Sequence, residues 1–241
     1  MKKLSFLALA SLPLVLLPGG PPADAATPLP ATAALATAPA MAAPRATGVI
    51  EGRVALEPRP APRRTASRYP GGQAGVHLIQ ELPAVVYLVG PLPGRPPSPS
   101  ELRAEVVQRD TAFVPPAVVV RVGGTVSFPN GDPFFHNVFS YSSAMRFDLG
   151  RYPQGETKEV TFSEPGVVEV FCEVHEFMRG AVIVAENPYH AVVGEDGTFR
   201  ISGVPEGEHT LAIWHPDHHP YRQRVVVPPG GTARLEVSLE R

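Results

Sequence analysis

Short apolar runs and alternating apolar and polar positions recur along the chain after residue 46. Both patterns are typical of β-strands. They predict strands at 48–56, 84–89, 105–108, 117–122, 125–128, 156–162, 166–171, 181–184, 198–201, 204–214, 225–227 and 233–239, with another apolar run after His136. Residues 140–155 are expected to be an excursion between strands. Many short strands with Gly and Pro turns, and no helical periodicity beyond the N-terminal segment, predict an all-β protein built from sandwiches.

The first 25 residues have the pattern of a signal peptide. Lys2 and Lys3 precede an apolar stretch from Leu4 to Leu17, and an Ala-x-Ala-like cleavage site ends at Ala25. The apolar stretch is too short to span a bilayer. Residues 26–46 are mostly Ala, Pro and Thr and are expected to form a linker. We therefore expect a mature protein that is periplasmic or secreted and has no membrane span.

Charge and composition narrow the class of partner. The 241 residues include 21 basic and 23 acidic side chains, for a net charge of −2, and 44% of them are hydrophobic. Such a chain can bury a core. Its charge does not suggest binding to nucleic acid or to an anionic membrane.

One stretch combines three metal-ligating residue types. The sequence Cys-Glu-Val-His-Glu-Phe-Met runs from Cys172 to Met178 between two predicted strands. Two imidazoles and one thiolate, with a weak axial thioether, make up the blue-copper ligand set, and His136 is the leading candidate for the second imidazole. The chain has one cysteine, which cannot form an internal disulfide after export. Metal ligation would protect this thiol.

These motifs resemble the cupredoxin family. Residues 172–180 are similar to the C-x-x-H-x-x-M-R-G ligand loop of amicyanin-like proteins, and residues 133–138 are similar to the segment that carries the first histidine. The resemblance covers about residues 101–186 and implies a Greek-key sandwich that holds one type 1 copper. His136, Cys172 and His175 would form the trigonal plane, and Met178 would be the axial ligand.

The resemblance also implies a role and a partner. Cupredoxins transfer single electrons, so we expect an electron carrier with a transient protein redox partner. Asn137 would tie the two ligand segments together by hydrogen bonds. Phe134, Phe135 and Phe177 would form an apolar rim around His175.

The ligand loop departs from the amicyanin pattern at two positions. Val174 and Glu176 stand where amicyanin-like loops usually have proline. Because proline has no backbone N–H, Val174 regains a donor that could reach the thiolate sulfur.

The C-terminal segment resembles a different family. Strands joined by Gly turns in residues 187–241 are similar to the carboxypeptidase regulatory-like sandwich, a smaller immunoglobulin- or prealbumin-like fold. Two earlier segments, Gly52-Arg53-Val54 and residues 84–88, resemble the strands with which that family usually begins. We therefore predict a split module of residues 47–100 and 187–241, with the cupredoxin domain, 101–186, inserted between its parts. Insertion is tolerated where surface termini lie close together.

A second metal site is a weaker hypothesis. His215, His218 and His219 cluster in sequence around a Pro-rich turn, but nothing in the sequence orients three imidazoles toward one point. A turn without metal is the expected alternative.

Two other functions use the same features. The chain could handle or deliver copper with these ligands, or it could be a structural binding module in which copper is incidental. We do not expect an enzyme, because multicopper oxidases and nitrite reductases need histidines in H-x-H pairs and the sequence has none.

Overall fold

The structure is a computed structural model that describes residues 46–58 and 79–241. The predicted signal peptide, nearly all of the linker, and most of the loop between the first two strands lie outside the described residues. No helix occurs in the described ranges. Consequently no described helix could cross a membrane. The all-β prediction is confirmed.

Seventeen strands make up the described part of the chain. They are β1 (Thr47–Leu56), β2 (Val85–Leu88), β3 (Arg103–Glu105), β4 (Val107–Arg109), β5 (Ala112–Val114), β6 (Ala117–Arg121), β7 (Gly124–Pro129), β8 (His136–Tyr141), β9 (Arg146–Tyr152), β10 (Thr157–Phe162), β11 (Gly166–Phe171), β12 (Arg179–Ala185), β13 (His190–Val192), β14 (Thr198–Pro205), β15 (Gly207–Trp214), β16 (Tyr221–Val227) and β17 (Thr232–Leu239).

Two sheets enclose the first core. One has the order β10-β7-β3 and the other β6-β12-β11-β8-β9. Val126 and Phe128 from the small sheet, and Val168 and Val182 from the large one, are fully buried in a common cluster. Alternate residues of each strand point inward, so these sheets form a sandwich.

Two further sheets enclose the second core. Their orders are β14-β1-β17 and β13-β2-β15-β16. Ile50 of β1, Val86 of β2 and Leu211 of β15 are fully buried in one cluster. Strand β1 pairs antiparallel with β14 and parallel with β17, and β2 pairs with β13 and β15. Two early strands therefore complete sheets that are otherwise built from residues 190–239.

The two sandwiches are joined through a small apolar cluster. Ala181 and Ile183, on the outer face of β12, pack with Leu82 and Val85. Val182 of the same strand faces the first core. Both faces of β12 are covered, which explains why its apolar run is continuous rather than alternating.

Three local predictions were wrong. Residues 140–155 contain the strand β9, whose inward residues Phe147 and Leu149 are only half-buried at the sheet edge. The predicted strand at 105–108 is broken at Val106, because β3 pairs with β7 whereas β4 pairs with β5. Strand β16 begins at Tyr221 rather than Val225. The prediction started too late because residues 221–224 are mostly polar and lie at or near the surface, so they form no apolar run.

Candidate metal centre

The loop of residues 172–178 connects two neighbouring strands of the large sheet. Strand β11 ends at Phe171 and β12 begins at Arg179, and these two residues face each other across the antiparallel ladder. Strand β8 lies on the other side of β11, and its first residue is His136. The sheet thus brings His136 to the same end as the loop.

Three donor side chains converge at this end of the sheet. The ligand atoms of His136, Cys172 and His175 all lie within 4.8 Å of one another. The Nδ1 atom of His136 is 3.2 Å from Nδ1 of His175 and 3.7 Å from Sγ of Cys172. His136 and Cys172 are buried, and His175 is half-buried. Within the described residues, this is the group of three or more His, Cys, Asp or Glu side chains close enough to hold a metal ion.

Asp132 orients His136, and the sequence reasoning did not identify this role. The Nε2–H group of His136 donates to Oδ2 of Asp132 at 2.8 Å. In the neutral ring the lone pair is then on Nδ1, which faces Cys172 and His175. The only available sequence signal was the acidic residue four positions before the histidine.

Backbone amides hold the Asp132 carboxylate in place. The amides of Asp110 and Thr111 donate to its two oxygens at 2.8 and 2.9 Å. Burial raises the pKa of this carboxyl, but the bonds from Thr111, His136 and Asp110 outweigh burial and lower the pKa overall. The carboxylate is therefore ionised where it meets the imidazole.

The surroundings of Cys172 favour the thiolate. Burial raises the pKa of the thiol, but the His136 bond and the backbone amides of Asn137, His175 and Val174 outweigh it and lower the pKa. The donor from Val174 agrees with the sequence prediction for this position. Thiolate is the form of cysteine that binds metal, so the donor set fits copper.

Two further expectations from the sequence concern Asn137 and Met178. The amide of Glu173 donates to Oδ1 of buried Asn137 at 2.8 Å, so Asn137 does tie the two segments together. Met178 is fully buried in the same apolar cluster as Cys172, and its amide donates to the carbonyl of His175. Its role as an axial ligand stays a prediction.

An apolar rim surrounds the half-buried edge of His175. The rings of Phe134 and Phe177 lie 5.3 and 5.7 Å from the His175 ring, centroid to centroid. Phe135 and Val174 are 55% and 41% exposed. Exposed apolar side chains thus lie beside His175, which is the half-buried member of the three-residue cluster.

The second histidine cluster contains two close rings rather than three. Nδ1 of His215 is 2.8 Å from Nδ1 of His218, and both residues are buried, whereas His219 is exposed. No metal-ligating trio is found here within residues 46–58 and 79–241. The structure offers no support for a second site of three histidines.

Parts of the chain match two families of known proteins. Residues 100–185 match copper binding proteins of the plastocyanin/azurin family. Residues 172–240 match the carboxypeptidase regulatory-like domain. Both resemblances predicted from the sequence are confirmed. The two matches share residues 172–185, and neither includes β1 or β2.

Individual relatives match the copper-binding part. Amicyanin from Paracoccus versutus is 35% identical over 75 residues, which are 30% of this chain and 57% of that protein. The chain thus spans little more than half the length of this relative. Solved structures of amicyanin also match. A Cu(I) methionine-to-alanine mutant is 26% identical, with 34% of this chain and 80% of that chain covered and a TM-score of 0.33. A reduced proline-to-phenylalanine mutant is 28% identical with the same coverage and a TM-score of 0.32.

Proposed function

We propose that this chain is a blue-copper protein that carries single electrons between protein partners. The observation that carries the proposal is the convergence of two imidazole Nδ1 atoms and the sulfur of Cys172, with His136 and Cys172 buried and His175 half-buried. His136, Cys172 and His175 would hold one type 1 copper, with Met178 as the axial ligand. Copper bound there would supply a reversible one-electron couple.

The protein groups around the ligands suit an electron carrier. Asp132 and Asn137 hold His136 and the Cys172 loop in place, and such supporting bonds keep a ligand set in one geometry. The burial of Cys172 and His136 excludes water from the thiolate. Fixed, dry ligands minimise rearrangement when the charge of the centre changes.

The half-buried ring of His175 would be the exit for the electron. Phe134 lies against this ring, and Phe134, Phe135 and Val174 add exposed apolar surface on the two segments that carry His136 and His175. A small patch of this kind suits a partner that binds weakly and leaves quickly. We expect such a transient redox partner, a location in the periplasm or outside the cell, and no enzymatic activity of the chain's own.

The predicted domain division is part of this proposal. Residues 101–186 would be the copper domain, inserted between residues 47–100 and 187–241 of a regulatory-like sandwich. The pairing of β1 with β14 and β17 supports it, because this pairing joins residues about 150 and 180 positions apart into one sheet. The family match to residues 172–240 supports the assignment of the C-terminal strands.

Redox cycling separates this function from copper delivery, which would use the same ligands. Protein-film voltammetry of the copper-loaded chain should give one reversible wave over many cycles. Incubation with a metal-free acceptor should leave the copper on this chain. Rapid transfer of copper to the acceptor, without a reversible wave, would assign the chain to copper delivery instead.

A further inference from the structure

An arginine directly after the ligand loop binds the other sandwich. Arg179 follows Met178, and its Nη1 and Nη2 groups donate to Oδ1 and Oδ2 of Asp217 at 2.9 and 2.7 Å. Its Nε–H donates to the carbonyl of Gln80 at 2.8 Å. The Arg179 and Asp217 side chains are only 13% and 20% exposed. A bidentate pair this far from water is stronger and better oriented than a surface ion pair.

Gln80, which accepts the bond from Arg179, also contacts the ligand loop itself. Its backbone amide donates to the carbonyl of Phe177, inside the loop, at 3.1 Å. Its side chain exchanges two hydrogen bonds with the backbone of Phe113, which lies on β5 and is fully buried. Gln80 is thus fixed to the copper domain's core at one side and to the ligand loop at the other.

Two buried imidazoles fix the turn that presents Asp217. The amide of Asp217 donates to Nδ1 of His215 at 3.2 Å, and the same atom is 2.8 Å from Nδ1 of His218. Burial lowers the pKa of His215, and the neighbouring His218 lowers it further, to about 4. In neutral His215 the single lone pair of Nδ1 is shared between two donors, the Asp217 amide and a proton on Nδ1 of His218. His215 and His218, two of the three histidines considered for a second metal site, therefore support this turn.

We infer that Asp217 and Gln80 are positioning residues for the copper-ligand loop. Asp217 lies between β15 and β16 of the regulatory-like sandwich, and Gln80 lies just before β2. Together they hold Phe177 and Arg179, the residues on either side of Met178. The sandwich thus acts as an external support for the ligand geometry rather than as a spacer. The inference rests on the proposed copper function for its consequence, but the support itself is a property of the metal-free chain.

The first test therefore needs no metal. Amide hydrogen exchange of residues 173–178 is measured in the full metal-free chain, in Asp217→Asn and in Glu208→Gln. Glu208 forms an exposed ion pair with Arg224 in the same sandwich, which makes it a matched control. We expect about tenfold faster loop exchange in Asp217→Asn and no change in Glu208→Gln, since local opening follows the loss of contacts.

The second test follows copper. Supporting contacts around metal ligands typically affect metal affinity by about 10–100-fold. We expect copper to leave Asp217→Asn about tenfold faster in the presence of an excess chelator, with an altered visible spectrum. Asp217→Glu, which keeps the carboxylate, should recover part of the loss, and Glu208→Gln should match wild type.

The outcomes separate the support from its alternatives. A folded Asp217→Asn chain with wild-type loop exchange and copper release would overturn the inference, even if the two sandwiches came apart more easily. If Asp217→Asn does not fold, Arg179→Lys decides by the same two measurements, because it keeps the charge and loses the fork. If wild type binds no copper, the proposed function fails while loop exchange still decides the support.

Discussion

Removing the carboxylate of Asp132 should loosen the centre by an amount that its contacts allow us to estimate. The carboxylate accepts three bonds, from His136, Asp110 and Thr111, and the side chain is only 7% exposed. Bonds to charged groups are each worth about 1.5–3 kcal/mol. The two amides lie in a turn near the surface and can regain water. The buried Nε2–H of His136 cannot.

The net cost of Asp132→Ala should therefore be about 3 kcal/mol of unfolding free energy, most of it from the unpaired His136. Asp132→Asn should cost less, about 1–2 kcal/mol, because an amide oxygen can still accept from the ring while its NH2 group opposes an amide donor. Copper affinity should fall about 10–100-fold in Asp132→Ala, since the ring loses the bond that orients it.

Guanidinium unfolding of the metal-free chain, followed by circular dichroism, measures the first effect. Competition with a copper chelator measures the second. Asp148→Ala is the matched control, because Asp148 accepts one exposed bond from Gly150 in the same domain. Its stability should change by no more than about 0.5 kcal/mol. Equal stability and equal copper affinity in the Asp132 and Asp148 variants would refute the orienting role.

Three further predictions concern stability. Ile50→Ala, in the fully buried centre of β1, should cost about 2–5 kcal/mol of unfolding free energy in the second sandwich. Copper absorption should stay unchanged while that sandwich is folded, and loss of the copper colour from a folded variant would contradict this. Asn137→Ala should cost about 1–3 kcal/mol in chemical denaturation, because the Glu173 amide loses its acceptor; no loss would contradict this. Burial raises the pKa of Glu101, but bonds from Ser98 and Arg95 outweigh it and lower the pKa to about 2. The stability advantage of wild type over Glu101→Gln should therefore be full above about pH 4.3 and shrink as pH falls toward 2; an advantage independent of pH would contradict it.

The proximity of the residues in the loop 172–178 was predictable because its information is local. Cys172, His175 and Met178 lie within seven residues, between two runs that read as strands, so their proximity needs no knowledge of topology. His136 is 36 positions away from Cys172. It was the leading candidate from its place before an apolar run, and the family resemblance supported this choice. The pairing of β8 with β11 gives the physical reason for its proximity to the loop.

The supporting residues were not predictable, because each acts across the fold. Arg179 and Asp217 are 38 positions apart, and Gln80 is 99 positions from Arg179. A charged or amide residue in a loop has no sequence pattern that identifies its partner. The two-sandwich fold had stronger signals, since regular alternation and Gly turns mark strands. Edge strand β9 was missed because its alternation is short and its inward residues are only half-buried.

The visible spectrum of the chain with added Cu(II) tests the central claim most directly. A thiolate bound to copper with two imidazoles should give an intense charge-transfer band. Cys172→Ser should abolish this band, and His136→Ala should disturb it. His219→Ala should keep it, since this ring is exposed and is not part of the cluster that could hold the metal. A wild-type chain without the band, or a Cys172→Ser chain that retains it, would contradict the assignment of the copper site.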